Sequence, residues 1–435
     1  MEKLGWHSLG TSFECTCGIR HELPIEACYV GEDAAEELAI FAHGRCEGTA
    51  LVISDENTRA AGGEEVLTAL GMKHIGIEEK VYAGTALEAT GEEADLVAEA
   101  GKDCGFYVAV GSGTLCDLAK SAGHAQGKPV LLVPTAASMN GYTSAIVALK
   151  VRGLKRTLPC KPATGIFADP EVVASAPPRM AAAGVADFLS KCSSSADWTA
   201  AHLLRGDYYC RRPREFNEGI QEKLFMNASE IGRGNPEAIQ LVLEALLLSG
   251  FGMVIAGSSA PASGGEHLIS HYVDMKHALY GSGNDLHGVQ VGIGTLYTLG
   301  LWEKVLALDP MSLDIDALIA AQPAQEEVRE RVFSDWGDKV GQEVWEQWLQ
   351  KQRTPEQLRE EIQKVQAIFP ALCEQVRLDV QPVSVVEKCI AESGGPVRAE
   401  DTTAPAEEYA NAIRNARFLR NRFTILDLAA ELGLA

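Results

Sequence analysis

Phe106-Tyr107-Val108-Ala109-Val110-Gly111-Ser112-Gly113-Thr114-Leu115-Cys116-Asp117-Leu118-Ala119-Lys120 decides the fold. Five apolar residues rich in aromatic and β-branched side chains predict a buried strand, the glycines a tight turn, and the Leu/Ala spacing beyond them a helix. A strand that runs through glycines into a helix leaves backbone N–H groups at the positive end of the helix dipole, which suits a pyrophosphate. The loop departs from GxGxxG. Cys116 stands at the third glycine position, and the acid available for a ribose, Asp55, precedes the loop instead of following it. A dinucleotide site and a simple tight turn both remain open at this point.

Working outward, Ala50-Leu51-Val52-Ile53-Ser54 predicts another buried strand, with Asp55 at its carboxyl end and a capped helix beyond. Strands are also expected at Leu23–Ile25, Cys28–Gly31, His74–Ile77 and Val130–Val133, and helices at Ala34–Ala42 and Thr85–Ala100. After Val133 comes Pro134-Thr135-Ala136-Ala137-Ser138-Met139-Asn140-Gly141-Tyr142-Thr143-Ser144. Small hydroxyl residues at a strand end beside a glycine loop form either a nucleotide-facing wall or an ordinary strand exit. Alternating strands and helices define an α/β N-terminal domain with a Rossmann-like parallel sheet, residues 1–170. Beyond it the pattern turns helical, at Pro177–Lys191, Pro236–Phe251, Ile293–Leu308 and the amphipathic, Glu- and Gln-rich stretch Asp309–Pro382. Ser393–Ala406 is expected to be a loop. Residues 171–435 are expected to form an all-α C-terminal domain.

That second half holds Ser263-Gly264-Gly265-Glu266-His267-Leu268-Ile269-Ser270-His271, followed by Leu286-His287-Gly288. His267 and His271 lie four apart, so on a helix both imidazoles project from one face. Zinc proteases share this spacing, but their glutamate follows the first histidine, whereas here Leu268 does and Glu266 precedes it. His287 closes the same site if its helix is a neighbour, and Asp187 is the best carboxylate to complete it. Isolated histidines are more often hydrogen-bonded core or surface residues, but three of the chain's ten stand in these two short stretches.

Composition sets outer bounds. The 435 residues favour two domains, and 46% hydrophobic against 23% charged residues is ordinary for a globular protein. No run is expected to approach the about eighteen apolar residues of a membrane span. Met1-Glu2-Lys3-Leu4-Gly5-Trp6-His7 shows no basic region followed by an apolar one, so a cytoplasmic location is expected. A net charge of −22 repels phosphate backbones and argues against nucleic acid as a partner. Eleven cysteines without framework spacing fit reduced thiols. Cys15-Thr16-Cys17, near His21 and Cys28, offers zinc donors, but a CxC without a second CxxC is a weak signature, and ordinary thiols are the expectation.

Taken together these motifs resemble the iron-containing alcohol dehydrogenase and dehydroquinate synthase superfamily, and within it the bacterial AraM-type sn-glycerol-1-phosphate dehydrogenases. The likeness rests on Val110–Thr114 with Asp117 and Lys120, Pro134–Tyr142, Gly184-Val185-Ala186-Asp187, Gly265–Tyr272, Leu286–Gly288 and Arg417–Leu428, in family order along nearly the whole chain. The resemblance implies a dehydroquinate synthase-like fold with a dinucleotide-binding first domain and a metal- and substrate-binding second one. It implies reversible NAD(P)H-linked reduction of dihydroxyacetone phosphate to sn-glycerol 1-phosphate on one divalent metal ion, zinc, nickel or iron. Asp187, His267 and His287 would hold the metal and His271 would face the substrate. Asp55, the loop Gly111, Gly113, Thr114, Leu115, Cys116 and Asp117, the wall Thr135, Ala136, Ala137 and Ser138, and Ser144 would contact the cofactor. Asn140 stands where the family usually has an aspartate that touches substrate. Lys191 is a candidate for the substrate phosphate, Asp55 tilts the choice towards NAD over NADP, and a homo-oligomer is implied by likeness.

Three other readings use the same residues: a dehydrogenase of another small polyol or hydroxyketone, which Asn140 favours; an NAD-dependent cyclase like dehydroquinate synthase; and a metal-stabilised binding protein with a degenerate site.

Overall fold

The computed structural model describes residues 3–84, 87–151 and 154–435, which form two compact units. The first comprises Met1–Phe188, Cys210–Ser258 and Glu392–Gly395; the second comprises Leu189–Tyr209, Ser259–Ala391 and Pro396–Ala435. The ten strands among the described residues fall in the first unit: β1 (Thr11–Glu14), β2 (Arg20–Leu23), β3 (Ala27–Val30), β4 (Ala50–Asp55), β5 (Ile77–Tyr82), β6 (Phe106–Gly111), β7 (Val130–Pro134), β8 (Ile146–Val151), β9 (Leu154–Pro159) and β10 (Gly165–Ala168). Six of them make one parallel sheet in the order β3-β10-β7-β6-β4-β5. Beyond Pro170 the described residues form helices and loops only, so an α/β N-terminal part is followed by a helical C-terminal region. The first unit is not confined to residues 1–170 but also takes in the helical segment Cys210–Ser258.

The sheet follows from its sequence. The central strands β4, β6 and β7 are buried along almost their whole length, which requires the unbroken apolar runs that a parallel sheet covered on both faces contains. On one face Val52, Val108, Val110, Leu131 and Val133 pack with Leu38 and Ala42 of the Ala34–Arg45 helix and Leu70 of the Glu64–Met72 helix. β5 corrects the expectation. It begins at Ile77, not His74, and runs through Glu78, Glu79 and Lys80. An edge strand pairs on one side only, here with β4, so it tolerates polar residues that hide it from a hydrophobic reading. His74 instead takes the left-handed conformation, φ 59°, in the turn before it.

Further differences are local. The Thr85–Ala100 helix is observed as Gly91–Ala100; Thr85 and Ala86 lie outside the described residues. The antiparallel hairpin of β8 and β9 carries no strong hydrophobic alternation and was not anticipated. Pro236–Ala256 is by length and composition apolar enough to cross a membrane, contrary to expectation, yet 78% of its most apolar window is buried within the protein, as for a core helix.

Candidate active site

The first unit gathers the nucleotide-binding candidates at the carboxyl ends of adjacent parallel strands. β4 ends at Asp55, β6 ends at Gly111, and β7 ends at Pro134, paired with Gly111. The Gly113–Gln126 helix starts directly after Ser112, so its first N–H groups open at that edge. A side chain at Gly111 would force Leu115 to move: a Cβ there would lie 2.4 Å from Cδ1 and 2.9 Å from Cβ of Leu115. Cys116, the departure from GxGxxG, is buried, and its thiol donates to the Gly111 carbonyl at 3.5 Å, tying the turn from below. Asp55 accepts the N–H of Thr58 at 2.8 Å, which caps the next turn.

Two residues of the motif point inward. Asp117 accepts the N–H of Ala148 at 2.9 Å, and burial, opposed by Lys120, pushes its carboxyl above the usual range. The buried Lys120 ammonium donates to the carbonyls of Gly141 and Ile146, both at 2.7 Å, and to Ser144 Oγ at 3.4 Å. It therefore braces the segment that follows β7. Tyr142 adds a bond to the Ala136 carbonyl at 2.6 Å, and Thr143 one to Leu247 at 2.7 Å. Thr135, Ala136, Ala137, Ser138 and Ser144 are all buried.

Asn140, beside Gly141 within this braced segment, stands against Asp187 in the last turn of the Pro178–Leu189 helix. Its backbone N–H donates to Asp187 Oδ2 at 2.9 Å, and its side-chain amide reaches Oδ1 at 3.5 Å. Gly184 permits that approach, since a Cβ there would lie 2.1 Å from the carbonyl oxygen of Ala137. Asp187 is fully buried.

The second unit brings the three histidines together. His267 and His271 are on the Gly265–Tyr280 helix and His287 opens the His287–Leu306 helix, with ring centroids 5.2 to 6.2 Å apart. His267 and His287 each offer a ring nitrogen within 4.8 Å of the other's. Their tautomers follow from their neighbours. Nδ1 of His267 donates to Glu266 Oε1 at 2.9 Å. Ser270 spends its only hydroxyl proton on Gln290 Oε1 at 2.9 Å, so the 3.2 Å contact between Ser270 Oγ and Nδ1 of His287 is donated by the imidazole. With Nδ1 engaged in each ring, Nε2 is the nitrogen each would turn to a metal.

Beneath the histidines is an arrangement that spacing did not reveal. Asp197, fully buried, accepts the N–H of Gly265 at 2.8 Å, the N–H of Ile425 at 3.0 Å and the indole N–H of Trp302 at 3.1 Å. It caps the helix that carries His267. Burial first, then the Glu266 carboxylate, pushes Asp197 well above the usual range. Arg422 lies beside them, donating to the Ser263 carbonyl and to Ser259 Oγ at 3.1 Å; burial lowers its guanidinium from the usual range, against the pull of the Glu266 and Asp197 carboxylates. Arg422 lies in the C-terminal motif Arg417–Leu428 and Ser270 in the motif Gly265–Tyr272; Asp197 and Gln290 had no such signal. Lys191, the candidate for the phosphate, is buried.

Residues 29–177 match the family model described as iron-containing alcohol dehydrogenase. Over 296 residues the chain is 33% identical to a glycerol-1-phosphate dehydrogenase (NAD(P)+) of Halalkalibacterium halodurans, covering 67% of this chain and 74% of that one. With the enzyme of that name from Geobacillus stearothermophilus it is 28% identical over 432 residues, 96% of each. The NADH-dependent butanol dehydrogenase A of Thermotoga maritima shares the fold, with a TM-score of 0.60 at 13% identity over 95% of this chain and 97% of that one. The chain belongs to the glycerol-1-phosphate dehydrogenase family of iron-containing alcohol dehydrogenases. It is accordingly an enzyme of the oxidoreductase class.

Proposed function

We propose that the protein catalyses reversible NAD(P)H-linked reduction of dihydroxyacetone phosphate to sn-glycerol 1-phosphate, with zinc, nickel or iron held by Asp187, His267 and His287. The observation that carries the reading is the pair of oriented imidazoles, His267 and His287, each with Nδ1 engaged by a neighbour and each offering a ring nitrogen within 4.8 Å of the other's. Two imidazoles and a carboxylate suit a divalent ion and leave coordination positions open. Asp187 supplies the carboxylate three residues before Ser190, whose hydroxyl donates to Ala262 at 3.4 Å, just ahead of the histidine helix. When bound, the ion supplies positive charge to the carbonyl oxygen that gains electrons.

The chain's own residues do the rest. The N–H groups at Gly113, Thr114 and Leu115 take the pyrophosphate, backed by Gly111, Cys116 and Asp117, while Thr135 to Ser138 and Ser144 border the nicotinamide. Asp55 takes ribose hydroxyls and would repel a 2′-phosphate, which favours NAD over NADP. Asn140, steadied by Asp187, offers its amide to a substrate hydroxyl. His271, one helical turn from His267, exchanges the proton at the substrate oxygen, and Lys191 contributes to holding the phosphate. This division assigns the dinucleotide to residues 1–170, which also contribute Asn140 to the substrate, and the metal and the other substrate contacts to 171–435. We place the enzyme in the cytoplasm as a homo-oligomer acting on a small molecule; eleven cysteines without a disulfide support the compartment.

The test is NADH oxidation by metal-loaded protein with dihydroxyacetone phosphate, beside Asn140→Asp and His267→Ala. Turnover by the wild type and none by His267→Ala is the expected result. An inert wild type with an active Asn140→Asp variant would overturn the substrate and favour the other reading, a dehydrogenase of a different small polyol or hydroxyketone.

A further inference from the structure

The first unit contains a second set of metal donors that the dehydrogenase reading does not use. Cys15 and Cys17 sit in the turn between β1 and β2, where the Cys15 N–H donates to the Ile19 carbonyl at 3.2 Å and the Gly18 N–H to that of Cys15 at 3.0 Å. Gly18 supplies the left-handed residue of this turn, φ 86°. His21 follows on β2. Cys210, 189 residues beyond His21, is the residue at which the chain re-enters this unit, just before the short Arg212–Phe216 turn of helix. His21 and Cys210 are buried.

The distances decide between readings. Cys15 Sγ lies 3.7 Å from Cys210 Sγ, and His21 Nε2 lies 3.2 Å from Cys17 Sγ and 3.4 Å from Cys210 Sγ. All four donor atoms fall within 4.8 Å of one another. Sulfurs about 2.3 Å and a nitrogen about 2.0 Å from a tetrahedral zinc would stand roughly 3.8 Å (S–S) and 3.5 Å (S–N) apart. These three contacts are close to the edge lengths of a zinc tetrahedron, whereas a disulfide needs sulfurs about 2.05 Å apart. The imidazole is oriented for the task, since Nε2 faces the sulfurs and the ring also has a backbone hydrogen bond to Ile255. Arg212 brings positive charge: its guanidinium lies 5.2 Å from the centre of the Phe13 ring, itself 5.4 Å from that of His21.

We propose that Cys15, Cys17, His21 and Cys210 bind one Zn2+ in a closed, structural site. Binding displaces three thiol protons to solvent, and three thiolates with one neutral imidazole fill the tetrahedron, leaving no position for a substrate. Its role is mechanical. A two-stranded hairpin is marginal alone, and the ion fastens β1 and β2 to the segment at Cys210. Cys28, the other thiol near the CxC in sequence, lies on β3 and is not among the four donors.

The site is tested by measuring bound metal in His267→Ala protein purified without chelator, and by replacing the ion with Co2+. One zinc per chain is expected to remain in His267→Ala and in His267→Ala/Cys28→Ser, and to be lost from His267→Ala/Cys15→Ser. The cobalt derivative of His267→Ala is expected to show thiolate-to-metal charge transfer with tetrahedral d–d bands. If Cys15→Ser does not fold, that spectrum still decides. A His267→Ala protein that retains no metal after zinc loading, or whose cobalt form lacks thiolate charge transfer, would overturn the proposal.

Discussion

Glu266 Oε1 accepts both the Nδ1–H of His267 at 2.9 Å and the N–H of Gly264 at 2.6 Å. Successive residues on a helix do not ordinarily face each other. This pair meets because Glu266 stands in the first turn, where its carboxylate folds back over the unsatisfied helix start. Glu266→Gln keeps an acceptor but removes the charge that holds the imidazole. Metal affinity is expected to fall about 10–100-fold with the fold retained. Competition with a chromophoric chelator measures it, and unchanged affinity would rule out this orienting role.

Asp197 concentrates three buried donors on one side chain. Asp197→Ala strands the N–H groups of Gly265, Ile425 and the Trp302 indole, each worth about 1–3 kcal/mol when left unpaired. A loss of about 3 kcal/mol or more is expected in denaturant titration, with Trp302 fluorescence reporting on the same locus. Asp197→Asn, which keeps an acceptor oxygen, should lose less.

Two glycines give opposite expectations. Gly184→Ala forces a methyl to within 2.1 Å of the Ala137 carbonyl oxygen, an overpacking that costs about 1–3 kcal/mol, and weakens dinucleotide binding by shifting the segment after β7. Gly300, inside the His287–Leu306 helix, has nothing within 4 Å of its missing Cβ. Gly300→Ala is expected to stabilise by about 0.5–1 kcal/mol. Thermal melts and dinucleotide titrations separate the two.

Stability should fall as pH rises through the window set by Glu431. Burial, then the neighbouring Glu361 and Asp427 carboxylates, push its carboxyl up to about 8, against the pull of Arg205 and Arg417. Arg205 shares its single charge between Glu431 at 2.8 Å and Glu361 at 3.0 Å. Between the ordinary value of 4.5 for a glutamate and about 8, the folded chain binds a proton the unfolded chain has released, so the stabilising contribution is full below 4.5 and lost above about 8. Glu431→Gln should flatten that part of the profile and gain on the wild type as pH rises. Equal slopes in the two proteins would contradict it.

The sequence by itself determined whatever depends on near neighbours in the chain. Unbroken apolar runs at β4, β6 and β7 marked a parallel sheet because both its faces are buried, and the glycine turn after β6 marked the edge where its strands end. The four-residue interval from His267 to His271 reported a shared helix face, as helical geometry dictates. Edge strand β5 escaped because exposure on one side lets it carry Glu and Lys. Tertiary structure alone decided that Asp197 caps a helix 68 residues away, that Lys120 braces the segment after β7 instead of meeting the cofactor loop, and that Cys210 joins Cys15, Cys17 and His21. Hydrogen bonds and metal tetrahedra are satisfied by whichever groups folding places within about 4 Å, and separation along the chain carries no record of that distance.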